Sequence, residues 1–98
     1  MKRNIDTITE IDGAKILEYT TVNRRQFNNA TNHYVDGEQR TEFSGLAICQ
    51  YSGSEDVYLF YCDSDWNTIS DTFHSDIVSA KRQASSEFSE IGDTWKKK

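Results

Sequence analysis

The 98 residues, 36% hydrophobic, 12% aromatic and 28% charged, make one domain's worth of chain, with apolar area for one thin core. The net charge of −5 argues against a nucleic-acid partner, because phosphate contacts come from Lys and Arg. No run reaches the roughly 18 apolar residues that span a bilayer, and residues 1–13 lack the apolar stretch of a secretory signal, so a cytoplasmic protein without membrane contact is expected.

From the N-terminus, Ile5, Ile8 and Ile11 recur at helical spacing in a polar stretch that stops at Gly13, which leaves a short helix or a loosely attached arm both open. Lys15 to Val22 is rich in β-branched and aromatic residues and reads as a strand. Asn23 to Asn32 is polar and irregular, with Phe27 its one large apolar residue. His33-Tyr34-Val35 then meets Asp36-Gly37, the favoured type I′ dipeptide, and a hairpin returning through Glu38 to Thr41 is expected.

The strongest strands are Glu42 to Tyr51 and Asp56 to Asp63, joined through Ser52-Gly53-Ser54-Glu55. In the second, Val57, Leu59 and Tyr61 occupy one face and Tyr58, Phe60 and Cys62 the other, the pattern of a central strand or of one left open for a partner. If Tyr51 faces Asp56, then Cys49 faces Tyr58 and Cys62 faces Gly45. The two thiols would share a face about 13 Å apart, whereas a disulfide needs Cα atoms within about 7 Å. Two reduced, buried thiols are expected, in keeping with a reducing compartment.

Asp63 to Asn67 reads as a turn and Thr68 to Ser70 as a short return strand. A helix follows, with Ser75 as N-cap and Asp76 in its first turn. Ile77, Ala80, Ala84, Phe88 and Ile91 form its apolar stripe, Lys81, Arg82, Gln83, Ser85, Ser86 and Glu87 fill the other faces, and Gly92 stops it. Trp95 can fold back on the helix end, and Lys96 to Lys98 form a basic tail. The expected fold is a single α+β domain over residues 1–98: an antiparallel β-meander of about four strands with one C-terminal helix packed on one face.

Motifs for chemistry fail one by one. Asp63-x-Asp65-x-Asn67 opens like a calcium loop, but Thr68 stands where Gly is required and His74 where a bidentate Glu is required. An Asx-type turn explains it. His33, His74, Cys49 and Cys62 have no zinc-type spacing. His74 beside Asp71 and Asp76 reads as a capping or solvated histidine, with no nucleophile to activate. No enzyme, metal or cofactor is expected.

What remains is acidic surface. Residues 54–95 hold nine acids against Lys81 and Arg82, which suits a basic protein partner. Glu55, Asp56, Asp63, Asp65 and Asp71 are expected around loops at the strand ends, interleaved with Tyr58, Tyr61 and Trp66. A solvated rim is the plain explanation, and a binding patch with aromatic area and carboxylate steering is the functional one. Candidate contacts are Glu55, Asp56, Tyr58, Asp63, Asp65, Trp66 and Asp71, with Glu18, Asp36 and Glu38 behind them.

The stretch Leu46-Ala47-Ile48-Cys49-Gln50-Tyr51, Tyr58-Leu59-Phe60-Tyr61-Cys62-Asp63, Asp65-Trp66-Asn67, Asp71-Thr72 with His74, then Ala80, Ala84, Glu87-Phe88 and Trp95, resembles small bacterial immunity proteins of contact-dependent growth inhibition and related polymorphic toxin systems. The resemblance covers about half the chain and rests on its scaffold. It implies a cytoplasmic protein without catalytic activity that neutralises a cognate toxin domain, often a nuclease, by covering its active site or a nearby surface. The alternative is a non-enzymatic adaptor or regulatory protein, a homodimer pairing through Val57 to Cys62.

Overall fold

The computed structural model describes residues 4–23, 26–27, 33–40 and 42–98. It is α+β, in the order β1 (Glu10–Ile11), β2 (Ala14–Thr21), β3 (His33–Val35), β4 (Glu38–Arg40), β5 (Gly45–Gln50), β6 (Val57–Cys62), β7 (Thr68–His74), α1 (Ile77–Glu87) and β8 (Lys96–Lys97). The main sheet is antiparallel and runs β1-β2-β5-β6-β7, with β8 pairing β2 beside β1, while β3 and β4 form a separate hairpin. It therefore holds five to six strands rather than about four. The additions are short pieces at the sequence ends that use the free edge of β2.

The β5–β6 register is the expected one, Gly45 opposite Cys62 and Cys49 opposite Tyr58. Both thiols are buried and neither is in a disulfide, and burial pushes Cys49 far above the usual thiol range. Asp36 and Gly37 both take positive φ, 52° and 81°, as a type I′ hairpin turn requires. The same dipeptide recurs at Asp12-Gly13, φ 51° and 82°, and folds the N-terminal arm back as β1. Most of the irregular stretch after Asn23, and Thr41 at the end of the expected hairpin, lie outside the described residues.

Strands β5 and β6 are buried on both faces, so two layers cover them. On one side Leu46, Ile48, Leu59 and Tyr61 meet Ala80 and Ala84 of the helix with Phe27, Phe43, Phe88 and Ile91. On the other, Ala47, Cys49, Phe60 and Cys62 meet Ile11, Ile16 and Trp66, with Ile5 and Ile8 packed against them. The isoleucine stripe is thus neither a free arm nor a helix; it seals the back of the sheet. A homodimer through Val57–Cys62 has no strand edge to use, because β6 lies between β5 and β7.

Three boundaries differ from expectation. Strand β7 runs seven residues to His74, because it pairs along the whole of β6. The N-cap is Asp76, whose carboxylate accepts from the Ser79 amide at 2.7 Å. The helix ends at Glu87 rather than at Gly92. Phe88 turns extended, φ −129° and ψ 131°, and bridges Phe27 with its ring centroid 5.2 Å from that of Phe27. Burying that ring is worth about 2–3 kcal/mol, more than another helical residue would add. The expected basic tail is β8, and Trp95 does fold back, half-buried, with Lys81 Nζ 5.9 Å over its ring.

Trp66 sits at φ 62°, a left-handed conformation costing about 1–2 kcal/mol, and this turns its indole onto the glycine of β5. A Cβ on Gly45 would lie 2.5 Å from Trp66 Cη2 and 2.6 Å from Cζ3. Gly45→Ala should therefore destabilise the protein by about 1–3 kcal/mol through overpacking, read as a lower urea midpoint. Adding Trp66→Leu should recover part of that difference.

Candidate interaction surface

On the face of the sheet opposite the helix, three aromatic side chains form a row at the end of β6. Tyr58 faces Phe73 across the β6–β7 ladder, and Tyr51 follows β5 on the other side. Ring centroids lie 5.5 Å apart for Tyr51–Tyr58 and 5.4 Å for Tyr58–Phe73, both edge-to-face, with Phe60 6.1 Å behind Tyr58. Cross-strand alternation puts these rings together, since residues two apart share a face. Tyr51 is 39% and Phe73 59% exposed, so the row presents aromatic area to solvent.

Acids frame the row. Asp71 precedes Phe73 by two residues on the same face, opposite Phe60, and is exposed. Asp12 stands at the β1–β2 turn. The Tyr51 phenol is held above its usual range by lost hydration first, then by Asp12, with Tyr58 and Asp71 adding to it. Both carboxylates therefore act on the same ring.

The ten sequence-derived candidates do not gather in one place. Tyr58 and Asp71 belong to the row. Glu55 and Asp56 stand nearby on the β5–β6 turn, Glu55 exposed and Asp56 half-buried. Asp63, Asp65 and Trp66 lie at the other end of β6, about 20 Å along the strand at roughly 3.3 Å per residue. Asp63 is committed to its turn: Oδ1 accepts from the amides of Asp65 and Asn67, each at 2.9 Å, and Oδ2 from the Asn67 side chain at 3.3 Å. Trp66 is 6% exposed, a core residue rather than a surface anchor, because its backbone turns the indole inward. Glu18, 7% exposed, faces the helix and pairs with Lys81 at 2.8 Å. A bulge between Ile16 and Glu18 brings Leu17 and Glu18 to that side together. Asp36 and Glu38 are exposed on the separate hairpin.

Phe73, Tyr51 and Asp12 are the members that sequence reasoning missed. The signals that carry them are the Asp12-Gly13 turn dipeptide and the alternation that continues past Ser70 through Thr72-Phe73-His74.

Beneath the helix lies a buried polar network. Glu87, expected on an outer face, is fully buried; it accepts from the Tyr61 hydroxyl and from Gln83 Nε2 at 3.1 Å. Burial, then the Glu87 carboxylate, drives the Tyr61 phenol far above its usual range. His74 is 9% exposed, not solvated, and its ring nitrogens meet Thr72 Oγ1 at 2.7 Å and Ser79 Oγ at 3.0 Å. Every named group here is engaged in joining β6 and β7 to α1. Among the described residues no three His, Cys, Asp or Glu side chains come together to hold a metal, and no helix is long and apolar enough to cross a membrane. Comparison with protein-family models, curated proteins and solved structures gives no match, so the reading of the surface rests on its own residues.

Two outcomes follow from the network. Tyr61→Phe removes a donor from a buried carboxylate and should cost about 1–3 kcal/mol, measured by chemical denaturation. His74 has its pKa lowered by desolvation, against the opposing pull of Glu87 and Asp76, so the folded state takes up its proton less readily than the unfolded chain. That contribution is complete above an unfolded pKa near 6.5 and is lost as pH falls through the lowered value. His74→Gln should flatten the fall in thermal midpoint as pH drops below about 6.5.

Proposed function

We propose that this chain is an immunity-type inhibitor, a cytoplasmic, non-enzymatic protein that binds a cognate toxin domain and occludes it. The observation that carries this reading is the exposed row Tyr51–Tyr58–Phe73 framed by Asp12 and Asp71. Exposed aromatics are expensive to leave in water and are the residues most enriched at the energetic centre of interfaces. A toxin of the nuclease class has a basic cleft because it binds phosphate. A surface of aromatic area and exposed carboxylate can compete for that cleft and associate fast.

The proposed contacts are Tyr51, Tyr58, Phe73, Asp71 and Asp12, with Glu55 and Asp56 on the adjoining turn. Trp66 and Glu18 leave the contact set because the fold employs them internally, and Asp63 and Asp65 lie at the far end. The adaptor reading has lost its strand edge, so inhibition by occlusion is preferred.

The test is co-expression with a toxin domain encoded beside this protein, scored by growth rescue and co-purification. Phe73→Ala should weaken the complex by about tenfold or more, the cost of a hot-spot aromatic. Asp71→Lys should slow association at low salt and lose that effect near 0.5 M salt, roughly where screening becomes strong. Asp63→Asn should change neither. Absence of rescue by the unaltered protein would sink the proposal.

A further inference from the structure

A second surface lies on the helix side of the same end of the sheet. Leu17, Val57, Ile77 and Val78 line a groove of about 410 Å³ where the first turn of α1 stands off from β2 and β6. Its other lining residues are Gln50, Glu55 and Asp76. The volume falls within the range of pockets that hold small ligands and would admit one or two aliphatic side chains.

Two observations set what would fill it. Val78, the second residue of the helix, is 59% exposed, and a β-branched side chain there gains nothing from helix propensity. The charged lining is of one sign. Glu55 and Asp76 are both carboxylates, Glu55 forms no ion pair among the described residues, and Lys15 of β2, opposite Gln50 of β5, does not line the groove. Asp76 already caps the helix at the Ser79 amide. The helix end contributes about half a positive charge, which offsets only a fraction of two carboxylates.

We infer that this groove is a docking site for a basic amphipathic segment of a partner protein, an aliphatic side chain entering between Val57 and Val78 while a neighbouring Arg or Lys meets Glu55 and Asp76. An acidic segment would place like charges together, and an uncharged apolar one would leave the carboxylates facing low-dielectric surface. The groove and the aromatic row lie on opposite faces of the sheet and share only Glu55 at the turn, so this site does not rest on the inhibitor reading, and Val78 and Phe73 variants test the two separately.

The experiment uses the full chain, isotope-labelled, titrated with a synthetic helical peptide of about twelve residues carrying leucines at i and i+4 and arginines on the same face. Saturable shifts should concentrate on the methyl groups of Leu17, Val57, Ile77 and Val78. A peptide with glutamate for arginine, and one with alanine for leucine, should each bind about fivefold or more weakly. Val78→Asp and Glu55→Lys should weaken the basic peptide by a similar factor with unchanged thermal midpoints, since both side chains are exposed. Phe73→Ala should leave the affinity alone. Equal binding of the acidic peptide, shifts gathered on Tyr51, Tyr58 and Phe73, or no saturable shifts at all would each overturn the assignment.

Discussion

Strands β5 and β6 carry apolar side chains on both faces, so neither face of the sheet can be left to water. At about 25 cal/mol per Å², exposing either row would cost more than a domain of this size has in net stability. The helix covers one side with Ala80 and Ala84, small enough to bring its backbone close. Among the described residues the other side has no second helix. Its cover is assembled from Ile5, Ile8 and Ile11 of the N-terminal segment and from Trp66, which accepts a left-handed backbone to reach Gly45.

The same constraint decides where a partner can be met. The middle of each face is spent on folding, and what remains is the end of the sheet where β5 turns into β6, β7 finishes and α1 begins. Tyr51, Tyr58 and Phe73 emerge there on one face, and the groove lined by Val57 and Val78 opens on the other. Acids outnumber bases at this end, where Lys15 stands beside Gln50 and Tyr51, whereas Glu18 toward the middle of β2 pairs with Lys81. The buried network of Tyr61, Glu87, Thr72 and His74 is specific rather than cheap. A buried carboxylate loses hydration worth several kcal/mol and holds the helix in one register only while Tyr61 and Gln83 donate to it.

Much of this architecture was legible from residue pattern. The β5–β6 register followed from one turn and the period-two side-chain alternation, and it argued against a disulfide between Cys49 and Cys62, which the structure does not form. The Asp36-Gly37 hairpin followed from the φ values its turn demands, and the Asp63–Asn67 turn from side-chain acceptors at the right spacing. Errors fell at element ends. Local cues put the cap at Ser75 and the stop at Gly92, but Asp76 captures the Ser79 amide and the aromatic cluster draws Phe88 out of the helix.

The site was legible only as a composition of acids and aromatics within residues 54–95. Proximity along the chain placed Trp66 beside Asp65 as a surface anchor, while backbone direction sends its indole into the core. Glu18 and Glu87 look like solvent-facing charges by sequence and are enclosed by partners more than twenty residues away. Conversely, Tyr51 and Phe73 are 22 positions apart and become neighbours of Tyr58 only because β5, β6 and β7 align. Sequence determined the strands, their alternation and the sign of the charge, since these depend on neighbours within a few residues. Which aromatics are sealed and which meet water depended on the covering layers, and those are set by long-range packing.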